Sequence, residues 1–593
     1  MSDALTYDVD LGGHVQHLVT VTLHVPADLA DHARLVLPTW TPGSYVERNY
    51  ARHVQQVHAT DADGTQVRVT LDGHTAWRLP AGTSTDVDVI FELYANELTV
   101  RTNHVDDHHA LLVGAATFPF VDGATDRPHH VRVAAPDGWR VWSLLAGDEN
   151  GDYRAEDYHH LVDSAFEAGE HAEVGFEVSG VEHRFVWTAH GGRPDLDRLR
   201  EEAQAVCSTA VELMGGDLPV ERYTFLCTGW DRAGGGGGLE HRDGSVLMMP
   251  VTIWGAEQDR YAGFLSLIAH EYFHLWNAKR LTPRALVQPD YEHPTHTESL
   301  WVAEGWTTYV DHLVPVRAGV WDVDRFLDRQ GKLAIELRES PGRRLQSARR
   351  ASHEAWTKLY VRDENSVNAG VSYYRLGHYL AWCLDLELRR RDPQGDGLDA
   401  VLRLLWERHA GDSAGYTEDD VQEAVAEVAG QRMDDFFQAH VGGTELPDVD
   451  PLLDVVGLRW KDDEPDDPAP PWLGVQTSDD DQGVTCTSVL RDGPAWSAGV
   501  TGGDRLVAID GLRVARDEFT AVLRPYQPGD TVQVTVFRGP RLLTLPVTLG
   551  EPVPAPKLVR TDEPTDAQRD AFERWLGRPF AVDDDADGEH DGA

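Results

Sequence analysis

Residues 260–280, RYAGFLSLIAHEYFHLWNAKR, and residues 299–314, SLWVAEGWTTYVDHLV, decide how the rest of the chain is read. Both carry apolar residues at helical spacing. The first contains H-E-x-x-H as His270, Glu271 and His274. An i, i+4 pair places two imidazoles on one helix face, where they can share a tetrahedral Zn²⁺, with Glu271 beside the metal as general base. At this chain's His and Glu content, chance supplies about 0.1 such matches. A catalytic zinc takes a third protein ligand and keeps one position open. The second stretch offers Glu304, set among Leu300, Trp301, Val302, Trp306, Tyr309 and Val310. An unpaired carboxylate is costly to bury there, whereas a metal ligand is not. The thirty positions from His274 to Glu304 allow a turn that folds the second helix back antiparallel on the first. Thr308, one turn beyond Glu304, or Asp311 is the candidate to orient a ligand imidazole.

Outward from this centre, the pattern changes twice. From Tyr7 to about Arg184, short alternating runs such as HLVTVTLHV, TQVRVTL and TDVDVIFELY are broken by Gly, Pro and Asp turns, as in strands. Helical periods dominate from there to about Val441, including Ser372 to Arg391. The charged, proline-rich KDDEPDDPAPP, Lys461 to Pro471, reads as linker. Strand-like runs with Gly turns and a helix near Asp517 to Leu523 follow, and the chain ends in the acidic AVDDDADGEHDGA. The expected division of this multidomain α+β chain is an N-terminal β-sandwich-like domain over 1–184, a mainly α domain over 185–445, and a linker over 446–471. A small domain of strands over 472–552 and a short helix with an acidic disordered tail over 553–593 complete it.

The 593 residues carry 53 basic and 99 acidic side chains, a net charge of −46. Such a field repels phosphate backbones and anionic membranes, so neither nucleic acid nor membrane is an expected partner. No stretch approaches ~18 consecutive apolar residues, and MSDALTYDVD has neither a basic nor an apolar leader region. Four widely spaced cysteines without CxxC spacing argue against a thiolate metal site and a disulfide scaffold. A cytoplasmic protein is expected. The His-rich NHVDDHH, Asn103 to His109, and His129-His130 have metal-like composition but read as surface or core histidines of the β domain.

HEYFHLWNAKR followed by WVAEGWTTY resembles the gluzincin metallopeptidases, and the wider pattern is similar to the glycyl-aminopeptidase family with a C-terminal PDZ domain. LPTWTPGSYVERNYARHV, Leu37 to Val54, resembles that family's N-terminal β domain. GGGGGLEHRDGSVLM, Gly234 to Met248, resembles its substrate loop and edge strand, and VSYYRLGHYLAWCLDLELR the helix bearing its catalytic tyrosine. The resemblance implies that residues 185–445 form a thermolysin-like zinc peptidase domain and residues 472–552 a PDZ domain. It also implies one zinc per chain and a preference for N-terminal Gly or Ala, with hydrolysis by Glu271-assisted attack of zinc-activated water.

It further implies that Glu240 binds the substrate's free α-amine. The glycines before it, Gly237 and Gly238 among them, let backbone approach a ligand, although a surface loop would read the same way. His241 reads equally as substrate-facing or structural. Ser245 to Met249 is expected as an edge strand that pairs with an extended peptide. Helical spacing does not choose between Tyr373 and Tyr374, but Tyr374-Arg375-Leu376-Gly377 selects Tyr374 as oxyanion donor. Arg375 and Leu376 depart from more distant aminopeptidases. In the last domain Gly493-Pro494-Ala495, Gly499, Gly503-Asp504 and Asp510-Gly511 resemble a bacterial PDZ domain, with Leu473, Gly474 and Val475 presented to a peptide C-terminus. Two readings compete with a peptide-trimming enzyme. One is an endopeptidase on the same zinc site; the other is a PDZ scaffold with a vestigial metal site, against which the intact His270, Glu271, His274, Glu304 and Tyr374 argue.

Overall fold

The computed structural model describes residues 4–148, 150–189, 191, 193–230, 236–255, 258–411, 414–461, 469–480, 483–515 and 519–580. Gly234 and Gly235, residues 462–468 of the expected linker, Asp517 and the acidic tail from Ala581 lie outside them. The chain forms two compact units. One comprises Met1–Thr297, Val310–Trp321 and Leu402–Thr417; the other comprises Glu298–Tyr309, Asp322–Val401 and Glu418–Ala593. Among the described residues no helix is long and apolar enough to cross a membrane.

The first unit begins with alternating strands whose inward residues build one core. They are β1 (Leu5–Asp10), β2 (Leu18–Val25), β3 (Val54–Asp61), β4 (Val87–Tyr94), β5 (His104–Val105), β6 (His109–Val113), β7 (His129–Ala134), β8 (Asp152–Ala155) and β9 (Ala165–Gly169). The period-2 pattern of LVTVTLHV puts Val19, Val21, Leu23 and Val25 inside. An eight-stranded sheet runs Ala146–Gly147, β8, β7, β1, β2, β4, β3, Gln66–Val67. A second sheet runs Arg140–Ser143, β9, β6, β5.

A five-stranded sheet follows, from β10 (Ala172–Val178), β11 (Val181–Ala189), β12 (Arg222–Trp230), β13 (Gly237–His241) and β14 (Gly244–Pro250). Its order is β10-β11-β12-β14-β13. The change of pattern near residue 184 therefore falls inside a strand of a sheet that begins at Ala172. Helix α1 (Leu196–Leu213) starts where the Asp195 side chain accepts from the Arg198 amide, and it buries Leu199, Ala203, Val206 and Ala210 along one face. Helix α2 (Gln258–Phe273) carries the H-E-x-x-H.

In the second unit, α3 (Leu300–Ala303) precedes the start of α4 (Gly305–Ala318), whose residues from Val310 onward belong to the first, and α5 (Val323–Glu339) precedes α6 (Tyr373–Arg391). Residues 446–461, expected as part of a linker, hold a helical turn at Asp450–Leu453, with Leu453 and Val456 buried, and β15 (Leu458–Lys461). Next come β16 (Val475–Asp480), β17 (Gly483–Val489), β18 (Arg505–Ile509), β19 (Thr531–Arg538) and β20 (Arg541–Thr548), in that sheet order. Their core includes Val484, Cys486, Ile509, Val532, Val534, Val536 and Val547. Asn368 ties this sheet to the segment before α6: its Nδ2 donates to Val489 O at 2.8 Å, and its Oδ1 accepts from the Arg491 amide at 2.8 Å.

Strand β21 (Lys557–Arg560) returns to pair antiparallel with β15. Helix α7 (Asp566–Leu576), opened by a Thr565/Gln568 capping box, then buries Phe572, Trp575 and Leu576. Trp575 Nε1 donates to Tyr309 OH at 2.8 Å, and Tyr309 OH donates to Asp385 Oδ2 at 2.6 Å. Asp385 Oδ1 also accepts from Arg389 Nε and the Leu398 amide, each at 2.9 Å. Trp575→Ala is expected to destabilise the protein by about 3–5 kcal/mol, the cost of an aromatic cavity. Denaturant unfolding checks this, and a loss under about 1 kcal/mol would mean that α7 adds little to the unit.

Candidate metal and substrate site

In the first unit, His270 and His274 stand one turn apart near the end of α2, ring centroids 4.7 Å apart. His270 Nδ1 lies 2.7 Å from Asp311 Oδ2, while Asp311 Oδ1 accepts from Ser266 Oγ at 3.1 Å. His274 Nδ1 lies 2.8 Å from the Asn277 carbonyl. A carboxylate and a carbonyl only accept, so both imidazoles carry their proton on Nδ1 and keep the Nε2 lone pair for a metal. The donor set fits zinc. Of the two candidates to orient an imidazole, Asp311 does so. Thr308 Oγ1 instead donates to the Glu304 carbonyl at 2.8 Å.

Glu240, Glu271 and His274 converge, with one ligand-type atom from each within 4.8 Å of the others. Glu240 is 6% exposed and Glu271 5%. Two carboxylates this close and this buried repel unless a cation joins them. Glycines permit the approach. A Cβ at Gly238 would collide with the Glu271 carboxylate, and one at Gly43 with that of Glu240, where the backbone φ of +93° also favours glycine. At Gly237 a Cβ would meet nothing within 4 Å.

Gly43 belongs to the LPTWTPGSY segment, whose Trp40 Nε1 donates to the Asp290 and His293 carbonyls at 2.7 and 2.9 Å. Sequence reading missed it, because nothing local links residue 43 to residue 240. Arg101, also missed, donates through Nη2 to the Gly238 carbonyl at 3.3 Å.

The expectation that Ser245 to Met249 forms the sheet edge is corrected. β14 is flanked by β12 and β13, and the edge is β13, the strand that holds Gly237, Gly238 and Glu240. The chain reverses tightly after His241, so the glycine-rich strand folds back outside its partner. His241 is structural: Nδ1 lies 3.2 Å from Asp163 Oδ1, which also meets Lys279 Nζ at 2.9 Å. Burial alone would raise the Asp163 carboxyl, but Lys279 and His241 outweigh it and hold it at about 2.

In the second unit, Glu304 sits at the break between α3 and α4 and is 2% exposed. Its amide still donates to the Leu300 carbonyl at 2.8 Å, and its carbonyl accepts from the Thr308 amide at 2.8 Å. A Cβ at Gly305 would lie 2.5 Å from Gly377 Cα, and one at Gly377 would strike the Trp301 carbonyl. Thus α3 and α4 press backbone to backbone on α6. Tyr373 is fully buried, whereas Tyr374 is only half-buried. Both hydroxyls meet Tyr360 OH, at 3.2 and 3.3 Å, a third tyrosine that no motif announced. Burial, then the Glu304 carboxylate and the neighbouring tyrosines, push the Tyr374 hydroxyl well above its ordinary value, so it stays a donor at neutral pH.

Comparison with known proteins agrees with this layout. Residues 6–170 match the M61 peptidase N-terminal domain, residues 263–380 the M61 glycyl aminopeptidase domain, and residues 471–549 a PDZ domain. The crystal structure of an aminopeptidase N family protein from Idiomarina loihiensis is 30% identical with a TM-score of 0.90, covering 96% of this chain and 100% of that one. The chain belongs to the M61 glycyl aminopeptidase family. An M1 zinc metallopeptidase from Deinococcus radiodurans is 16% identical with a TM-score of 0.47, over 75% of this chain and 94% of that one. None of the curated proteins compared with the chain matches it.

This M61 protein is a metalloaminopeptidase. Its H-E-x-x-H falls inside the matched peptidase domain, and Asp311 orients the first histidine of that motif. Asp311→Asn is expected to weaken zinc binding by about 10- to 100-fold through loss of the carboxylate that orients His270. Competition with a chelator measures it, and unchanged affinity would mean that Asp311 serves packing alone.

Proposed function

We propose that the enzyme releases single residues, small ones such as Gly or Ala foremost, from peptides with a free N-terminus. One zinc would be held at this centre by His270, His274 and Glu304. When bound, zinc supplies a Lewis acid that makes water a nucleophile at neutral pH and polarises the peptide carbonyl. Glu271 takes the proton of the attacking water and returns it to the leaving amine. The Tyr374 hydroxyl donates to the oxyanion, a role supported by its half-exposed position and raised pKa. β13, the free edge of its sheet, pairs with the extended peptide backbone.

The observation that carries this reading is the convergence of Glu240 with Glu271 and His274. Beside a general base, a second buried carboxylate hinders an enzyme that cuts mid-chain, where the substrate has no charge to meet it. It suits a substrate that brings an α-ammonium. The PDZ domain extends the reading to the other end of a peptide. A cavity of about 210 Å³ is lined in part by Leu473, Gly474, Val475, Phe519 and Leu523. It lies by β16, an edge strand able to take a peptide C-terminus.

N-acetylation of a peptide should abolish release of its first residue. Losing a charge-assisted hydrogen bond of ~1.5–3 kcal/mol costs roughly 10- to 150-fold before any steric penalty. Glu240→Ala should reproduce much of that loss on the free peptide without releasing zinc. Mass spectrometry of products from a free and an acetylated peptide of one sequence decides the matter; equal cleavage, or internal cuts alone, would identify an endopeptidase. Tyr374→Phe should lower kcat with KM little changed, because the hydroxyl acts on the transition state. A loss carried by Tyr373→Phe instead would move the role to its neighbour.

A further inference from the structure

We infer a second divalent-cation site in the N-terminal β region, formed by His104, Asp106 and His109 and suited to Zn²⁺ or a first-row ion of similar size. One ligand-type atom from each of the three lies within 4.8 Å of the others. They occupy the hairpin of β5 and β6, in which Val105 pairs with Ala110 and His104 with Leu111. They share no residue with the H-E-x-x-H centre.

The hairpin holds the three groups close together. Asp106 Oδ1 accepts from the amides of His108 and His109 at 2.8 and 3.0 Å, which locks the carboxylate. Its Oδ2 stands 3.0 Å from His104 Nε2, which carries the proton between them and would release it on binding an ion. Two ligand atoms on a tetrahedral zinc, each ~2.0–2.1 Å from the metal, are themselves about 3.3 Å apart, so only small side-chain shifts close the set. His109 is fully buried, and its Nδ1 lies 2.9 Å from Glu167 Oε1 on β9. A carboxylate there keeps the proton on Nδ1 and the lone pair on Nε2, the relation His270 has with Asp311.

Glu167 is itself held. Its Oε1 accepts from Thr188 Oγ1 at 3.0 Å and lies 3.5 Å from His171 Nε2. A simple hydrogen bond across a turn explains His104 and Asp106. It gives no reason for a buried imidazole beside them, ring centroids 5.2 Å from His104, with a carboxylate of its own to orient it. Two imidazoles and one carboxylate suit zinc and its neighbours and disfavour Ca²⁺ and Mg²⁺, which take oxygen ligands. The expected role is structural. Arg101, three residues before His104, reaches the Gly238 carbonyl, so an ion in this hairpin would steady the base of the segment that touches the substrate strand.

The test uses the full chain carrying His270→Ala and His274→Ala, loaded with Zn²⁺, dialysed, and analysed by mass spectrometry for metal per chain. About one zinc is expected to remain, and Asp106→Asn added to this background should remove it. Asn preserves the backbone caps while deleting the charge, so the hairpin is retained, which circular dichroism checks. Zinc should also raise the Tm of the double variant and not that of the triple variant. In the otherwise wild-type chain, Asp106→Asn should lower zinc from about two to one per chain and leave peptidase activity in place. A folded double variant that holds no zinc, or one whose zinc survives Asp106→Asn, would overturn the inference. If the catalytic assignment alone is wrong, the unmutated chain and the double variant will hold equal zinc, and Asp106→Asn will still remove one ion.

Discussion

The contact between Gly305 and Gly377 fixes much of the second unit. Neither position has room for a methyl group, so the start of α4 and the first turns of α6 meet at backbone distance. A glycine inside a helix costs about 1 kcal/mol relative to alanine. Two facing glycines offset that cost by packing that no side chain could provide. Glu304 immediately precedes one of them and Tyr374 stands one turn before the other, so a single close approach sets a buried carboxylate near a half-buried hydroxyl. Burial raises the pKa of that hydroxyl most, and the nearby carboxylate raises it further.

The first unit solves a related problem by other means. Several of its buried titratable groups meet an opposite partner: His270 meets Asp311, His241 and Lys279 meet Asp163, and His109 meets Glu167. Buried polar groups that are fully partnered specify one arrangement, whereas an unpaired one would cost several kcal/mol. Glu240 and Glu271 also come close to one another, beside His274, where water screens repulsion least. On the proposed reading, a cationic substrate end would relieve that repulsion on binding.

Much of this was legible in sequence because it is periodic or composed of rare residues. Alternation in LVTVTLHV gives β2 its buried face, and H-E-x-x-H on an apolar helix, read together with Glu304 and the family resemblance, points to a metallopeptidase. What was not legible depends on contacts between distant residues. Whether β13 or β14 forms the edge is decided by which strand meets β12, and a run of glycines has no face to show it. The reach of Gly43 to Glu240, of Arg101 to Gly238 and of Tyr360 to Tyr374 leaves no local signal. The stretch 446–461 read as linker because its charged, proline-rich continuation dominates a short window, although Val449, Leu453 and Val456 are core residues. NHVDDHH was visible as composition; that its histidines meet Asp106 and Glu167 was not.

The pairing of β15 with β21 turns the PDZ domain into an excursion from a strand pair. Lys461 and Lys557 face one another across that pair, 96 residues apart in sequence. For an unfolded chain, closing so long a loop is entropically slow. Once the PDZ domain has formed and Trp472 is bridged to Gly550, the gap left to close is roughly 18 residues. Loop-closure entropy makes the second closure cheaper by about 1.5 kcal/mol. Loop closure thus favours an order of events in which the domain forms first and presents its two ends side by side for β15 and β21 to pair.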